Sequence, residues 1–284
     1  MGKSIAQKVA STGIDVVLLE ISPERVTASA AELEIHLDQE LARWGVTPSE
    51  KKAILARVHF TADPIALVRT DLVIETVSEE VTLKRDVLQR LGALLPAETI
   101  FVTNTSTLSV TEIAAASGRP DRVVGMHFLY PVTHSPIVEI VRGAETSAAT
   151  LARAHLLAQV LGKQVIEVFD SPGYVATRAM IPFLNEAMHI VLEGVATAQD
   201  VDLALRLGYE FRMGPLEYAD RVGLDKVLGW MEHLWREMGD LKYRPCPRLR
   251  QLVRAGYLGR KTGRGFFLWE NGERVASVRT TTTP

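Results

Sequence analysis

Short β-rich runs alternate with helical stretches through the first 170 residues of the chain. The runs at 15–19, 58–61, 72–77, 100–103, 123–128, 137–141 and 165–169 are rich in branched and aromatic residues. Several are continuously apolar, which is the pattern of strands covered on both faces in a parallel sheet. Residues 22–44, 48–56, 79–94 and 146–161 read as helices. Ser22-Pro23 supplies an N-cap and a first-turn proline for the first of them. Residues 3–10 read as one more helix, opening almost at the first residue. The alternation predicts an α/β fold with an open, doubly wound sheet.

Past Asp170-Ser171-Pro172-Gly173 the pattern changes. Helical periodicity runs from about 173 to 257 with almost no strand signal. One long helix is expected over 174–193 and others over 198–207 and 216–238. Gly194, Gly208, Gly214 and Gly223 punctuate them. Two domains follow, residues 1–170 and an all-α domain at 171–284, and 284 residues are ample for both.

Composition narrows the partners. Apolar residues make up 47% of the chain and charged residues 23%, which excludes disorder. Acidic and basic groups nearly cancel, at 34 against 32, so no overall positive field exists to hold nucleic acid or an anionic membrane. The most apolar long stretch, 174–192, is broken by Arg178, Asn185, Glu186 and His189 and cannot span a bilayer. The single cysteine, Cys246, allows no intrachain disulfide. With no signal-like segment, the expected compartment is the cytoplasm. No metal site is expected.

Two groups of residues carry candidate chemistry. Gly2 opens a helix, the run 15–19 follows as a strand, and Glu20 ends it, 18 positions after Gly2. In dinucleotide folds an acid about 20 residues past the glycine motif accepts the ribose hydroxyls and repels a 2′-phosphate, which would select NAD. On spacing alone, a glutamate after a strand is more often a solvated turn residue. If Gly2 is the third glycine of G-x-G-x-x-G, the first two glycines and the first strand are missing from these residues. The expectation is then that the neighbouring strands close over that gap.

In the second group, Asn104-Thr105-Ser106-Thr107 follows the run 100–103, His127 ends the run 123–127, and Glu139 lies in the run 137–140. All three sites are expected at or near the carboxyl ends of strands, where open α/β sheets place ligands. A histidine oriented by a carboxylate is a general base, and Ser106 can donate to a substrate oxygen. The other reading is a capping serine, a partly buried histidine and a strand-end glutamate.

The ordered set Glu75, Glu79, Lys84, Asn104-Thr105-Ser106, Gly125-Met126-His127-Phe128, Pro131, Val138-Glu139, Pro172-Gly173, Met213-Gly214-Pro215, Gly223-Leu224-Asp225 and Gly259-Arg260-Lys261-Thr262-Gly263-Arg264-Gly265-Phe266 resembles the 3-hydroxyacyl-CoA dehydrogenases, over essentially the whole chain. The likeness is closer to the bacterial 3-hydroxybutyryl-CoA dehydrogenases. It implies a Rossmann-type domain followed by a helical domain that forms most of a homodimer interface. It also implies NAD as cofactor, an acyl-CoA substrate and a part in fatty-acid β-oxidation. It gives His127 the role of acid/base, Glu139 that of orienting partner, and Ser106 a hydrogen bond to the reacting oxygen. Glu79 and Lys84 match positions lining the nicotinamide and ribose, with Asn104 and Gly2 on the cofactor side. Lys84 on its own would read as a solvated helix lysine. The 213–215 and 259–266 motifs read as structural turns, with phosphate attraction by Arg260, Lys261 and Arg264 as the alternative. Arg43 reads as a CoA contact or a solvated arginine.

Two positions depart from the family pattern. Thr177 stands where P-G-F-x-x-N-R carries asparagine, and it offers one hydroxyl on a shorter stem. Losing an oxyanion-type donor costs roughly 3–4 kcal/mol. Tyr130 replaces the asparagine of H-F-F-N-P and enlarges that position beside the expected acyl pocket. The expected reaction is NAD-dependent oxidation of a short-chain (S)-3-hydroxyacyl-CoA. Two alternatives stand beside it: a catalytically impaired acyl-CoA-binding homologue, and a dehydrogenase of a free 3-hydroxy acid.

Overall fold

The structure, a computed structural model, describes residues 1–43 and 45–277. The chain forms two compact units, Met1–Ser171 and a second from Pro172 onward. In the first, the helices are α1 (Gly2–Ala10), α2 (Pro23–Ala42), α3 (Pro48–Arg57), α4 (Val81–Leu94), α5 (Val110–Ala115) and α6 (Ala148–Val160). The strands are β1 (Val16–Leu19), β2 (Val58–Thr61), β3 (Leu72–Glu75), β4 (Ile100–Thr103), β5 (Val123–Phe128), β6 (Ile137–Arg142) and β7 (Gln164–Phe169). The starts of α2 and α3 follow their sequence. Ser22 accepts from the Arg25 N–H ahead of Pro23, and Thr47 with Glu50 closes a reciprocal capping box.

β1 and β2 pair in parallel, and β3 to β7 form a separate five-stranded sheet in sequential order. The expectation that the strands beside the gap close together is therefore not met: β1 pairs with β2 and β3 with β4, and not with each other. The side-chain layers account for this. Val16, Leu72 and Ile74 pack on a cluster containing Ile5 and Val9 of α1 and Ala154 and Ala158 of α6. Val17, Leu19 and Val73 pack on the opposite cluster, with Leu88 and Leu91 of α4 and Ile113 of α5. Each strand is held on both faces by helices, and moving it to gain backbone bonds would strip apolar area from both clusters at about 25 cal/mol per Å2.

The second difference is direction. β6 runs antiparallel to β5, while β7 is parallel to β6. The connection from Phe128 to Ile137 is too short for a parallel crossover, which takes a dozen or more residues. Between these strands Gly125 has a steric role, since a Cβ there would stand 2.7 Å from both Val110 and Val141 side-chain atoms.

The second unit contains α7 (Ala176–Leu192), α8 (Ala198–Gly208), α9 (Pro215–Val222), α10 (Leu224–Met238) and α11 (Pro247–Arg254). The stretch expected as one helix over 216–238 is two, because Gly223 breaks it at φ 107°. The unit is also not purely helical: it ends in an antiparallel hairpin of β8 (Phe267–Glu270) and β9 (Glu273–Ser277). Two buried aspartates fix its turns. Asp202 accepts from the N–H groups of Leu216 and Glu217 at the start of α9. Asp220 accepts from Phe266 N, Phe267 N and Trp269 Nε1. Burial pushes both carboxyls up to about 6. The glycine motifs serve these contacts, since a Cβ on Gly214 would strike Asp202 and one on Gly265 would strike the Asp220 carboxylate. Among the described residues no helix is long and apolar enough to cross a membrane, and no group of His, Cys, Asp and Glu is placed to hold a metal ion.

A buried ion pair ties α4 to the sheet. Lys84 Nζ lies 3.0 Å from both Glu75 carboxylate oxygens and donates to the Asn104 carbonyl at 3.0 Å. Glu75 also accepts from Thr103 Oγ1 at 2.7 Å and Val77 N at 2.6 Å. Lys84 is 0% exposed and Glu75 4%. Removing one partner strands the other charge in the core. Lys84→Met is expected to lower the urea unfolding free energy by about 3–5 kcal/mol. A loss within about 0.5 kcal/mol, as for a solvated helix lysine, contradicts the brace.

Candidate active site

β3, β4 and β5 are parallel, and the chemistry gathers past their carboxyl ends. After β4, Asn104 N donates to Glu75 O at 2.9 Å, and the Asn104 side-chain oxygen accepts from Phe128 N at 3.1 Å. Asn104 thus links the ends of three neighbouring strands, with Lys84 holding its carbonyl. Glu79 shapes the next turn. Its Oε1 accepts from Thr105 Oγ1 at 2.6 Å, Ser106 N at 2.7 Å and Thr107 N at 3.1 Å. These bonds fix the backbone that carries Ser106, which is partly exposed.

His127 and Glu139 are direct cross-strand partners in the antiparallel β5–β6 ladder. Their side chains meet with Nδ1 2.6 Å from Oε2. His127 is 5% exposed and Glu139 0%. Glu139 is not at the carboxyl end of its own strand, as the sequence reading had it. It lies near the start of β6, and the reversed direction brings that start to the carboxyl end of β5. With a carboxylate on Nδ1, that nitrogen carries the proton, and Nε2 presents the lone pair that can accept one.

Two more expected residues lie elsewhere in the same unit. Gly2 begins α1, and a Cβ there would stand 2.6 Å from Thr76 Oγ1, so the helix start sits tightly against the residue following β3. Glu20 follows β1, and its carboxylate accepts the Ser29 hydroxyl. Ser29 also accepts from Arg25 Nη2 at 3.3 Å. Lys3, paired with Glu32, is held below its ordinary pKa by burial and by the nearby Arg25 charge, while Glu20 pulls it the other way. A helix N-terminus and an oriented carboxylate at strand carboxyl ends suit the diphosphate and ribose of a dinucleotide.

Thr177 belongs to the second unit, 6% exposed in the first turn of α7. Tyr130 is 49% exposed and Arg43 is exposed just past α2. Lys261 pairs with Asp225 at 2.6 Å.

Sequence reasoning passed over Ser29, which orients Glu20, and Lys163. Lys163 Nζ donates to Val132 O at 2.8 Å and Ser135 O at 2.7 Å, anchoring the loop after Tyr130-Pro131. Burial lowers its pKa. A lysine just after the helix-ending Gly162, at the mouth of a strand, was the available signal.

Residues 1–171 match the family described as "3-hydroxyacyl-CoA dehydrogenase, NAD binding domain", and residues 173–269 match its C-terminal domain. A "Probable 3-hydroxybutyryl-CoA dehydrogenase" of Bacillus subtilis (strain 168) is 41% identical over 270 residues, covering 95% of this chain and 94% of that protein. The mitochondrial hydroxyacyl-coenzyme A dehydrogenase of Rattus norvegicus is 35% identical, covering 95% of this chain and 88% of that protein. Among solved structures, (S)-3-hydroxybutyryl-CoA dehydrogenase from Ralstonia eutropha superposes with a TM-score of 0.87 at 39% identity, covering 95% of this chain and 96% of that one. On these matches and on the arrangement of β5, β6 and the sheet's carboxyl edge, the chain belongs to the NAD-dependent 3-hydroxyacyl-CoA dehydrogenase family.

Proposed function

We propose that this chain oxidises a short-chain (S)-3-hydroxyacyl-CoA to the 3-oxoacyl-CoA, with His127 as acid/base. The observation that carries the reading is the buried 2.6 Å contact between His127 Nδ1 and Glu139 Oε2. NAD, when bound, supplies the hydride acceptor for the substrate's C3. The α1 start at Gly2 and the Glu20 carboxylate hold its diphosphate and adenosine ribose. Glu79, Lys84 and Asn104 build the nicotinamide side by fixing the strand ends there.

His127 takes the 3-hydroxyl proton at Nε2 as the carbonyl forms. Glu139 then faces an imidazolium and stabilises its charge. Ser106 donates to the same oxygen. In the helical unit, Thr177 offers a single hydroxyl where the family pattern has an amide. The names of the relatives favour a four-carbon acyl group. The single cysteine is buried and free, in keeping with a cytoplasmic enzyme.

The functional unit is a homodimer formed through the helical domain. Leu203 and Leu207 lie one turn apart on α8 and are 46% and 72% exposed. Val195 ahead of α8 and Tyr209 just past it are 72% and 75% exposed. Phe211 stacks on Phe183 with ring centroids 5.3 Å apart. Exposed apolar groups along one helix and at its ends suit a second copy of the same chain.

Assays with NAD and (S)-3-hydroxybutyryl-CoA are expected to show turnover, and His127→Ala to lower kcat by about 10²–10⁴. Undiminished kcat in that variant removes His127 from the base role. Turnover of free 3-hydroxybutyrate in preference to the thioester assigns the site to free acids. Sedimentation is expected to give twice the chain mass, falling to the monomer in Leu207→Asp. A monomeric wild type contradicts the dimer.

A further inference from the structure

A second constellation lies wholly in the helical unit and takes no part in the chemistry above. A cavity of about 230 Å3 is lined by Arg248, Gln251, Leu252, Ala255, Tyr257 and Arg264. Arg248, Gln251, Leu252 and Ala255 come from α11 and the residue after it, at the spacing of one helix face. Arg264 comes from the glycine-rich turn ahead of β8. That turn is rigidly placed, because Gly265 packs against the Asp220 carboxylate and Gly259 against the Asp220 backbone. The Arg264 guanidinium lies over the Tyr257 ring, 4.1 Å from its centroid, which sets the plane of its donors.

Two arginines around one cavity would ordinarily be met by a carboxylate. Here Nε of Arg248 and Nε of Arg264 are both shielded from solvent without a hydrogen-bond acceptor among the described residues. The nearby Glu232 is engaged with Arg250, and Asp220 is committed to three N–H donors. Two like charges thus share a concave site with no carboxylate among its lining residues. A group that met both would need negative charge and several oxygens, matching two guanidinium forks.

We propose that this cavity binds a phosphoryl dianion, with Arg248 and Arg264 as its ligands and Tyr257 as the platform that orients Arg264. The charge of the dianion balances the two guanidiniums that line the cavity, and its oxygens accept from their Nη groups. Gln251, exposed at the rim, can add an amide donor. Free inorganic phosphate and the phosphoryl groups of a phosphorylated adenosine share this chemistry. The inference does not rest on the dehydrogenase reading, and its test uses no turnover.

Thermal unfolding of the full-length chain is followed against inorganic phosphate, and separately against adenosine 3′,5′-bisphosphate, with chloride holding ionic strength constant. The expected result is a saturable rise in melting temperature with at least one of them, the more effective ligand naming the source. Arg248→Gln and Arg264→Gln are each expected to weaken that binding by about tenfold or more, and to leave the ligand-free melting temperature unchanged or raised. Arg248→Lys keeps the charge and loses the fork. It is expected to fold as the wild type does and to bind more weakly. No saturable shift with either ligand, or an equal shift in the Arg248→Gln, Arg264→Gln double variant, overturns the proposal. A large loss of ligand-free stability in both single variants also overturns it, because the arginines would then serve the fold.

Discussion

His127 and Glu139 meet because β6 runs against β5. In an antiparallel ladder, directly opposite residues point to the same face, so the register that pairs the two backbones also pairs the two side chains. A parallel β6 would have carried Glu139 to a different level of the sheet. The carboxylate is fully buried, and the histidine is nearly so. A buried carboxylate needs a partner, and the imidazole Nδ1–H supplies it. That contact favours the tautomer with the proton on Nδ1, the one the proposed acid/base role requires. Strand direction, burial and tautomer form one chain of cause.

The surrounding residues serve that arrangement by fixing strand ends. Lys84 spends its donors on Glu75 and on the Asn104 carbonyl, and Asn104 spends its side chain on Phe128, next to His127. Glu79 holds the turn of Ser106. In the proposed reaction these groups act through position, which is where much of the catalytic advantage of an enzyme that borrows its redox chemistry must come from. The division of the sheet into β1–β2 and β3–β7 leaves these contacts intact, since all of them lie within β3 to β6 and α4. Glu20 and its partner Ser29 sit on the two-stranded side, with Gly2 against Thr76 beside β3.

Much of this was legible in the sequence, and the remainder has identifiable causes. Apolar runs located β1 to β7, and the Ser22-Pro23 cap located the start of α2, because those signals are local. The direction of β6 is not local, yet the brevity of the 129–136 connection encoded it. The division between α9 and α10 followed from a backbone angle that only Gly223 adopts readily, and its mark in the sequence was a lone glycine inside a helical pattern. The hairpin β8–β9 escaped because its strands are short and follow a glycine-rich turn. Without the family resemblance, Lys84 reads from sequence as a solvated helix lysine. Its burial depends on Glu75, a partner on a different element. Ser29 and Lys163 were missed for the same reason: a hydroxyl or an ammonium announces its partner only once the chain has folded.

The central claim is that Glu139 sets the tautomer of His127, and nitrogen-15 NMR of the imidazole ring reads this directly. With the neutral ring assigned by comparison with His127→Gln, the account predicts a protonated Nδ1 and an unprotonated Nε2 in the wild type, and loss of that preference in Glu139→Leu. A neutral His127 protonated at Nε2 in the wild type, or an unaltered tautomer in Glu139→Leu, would contradict it.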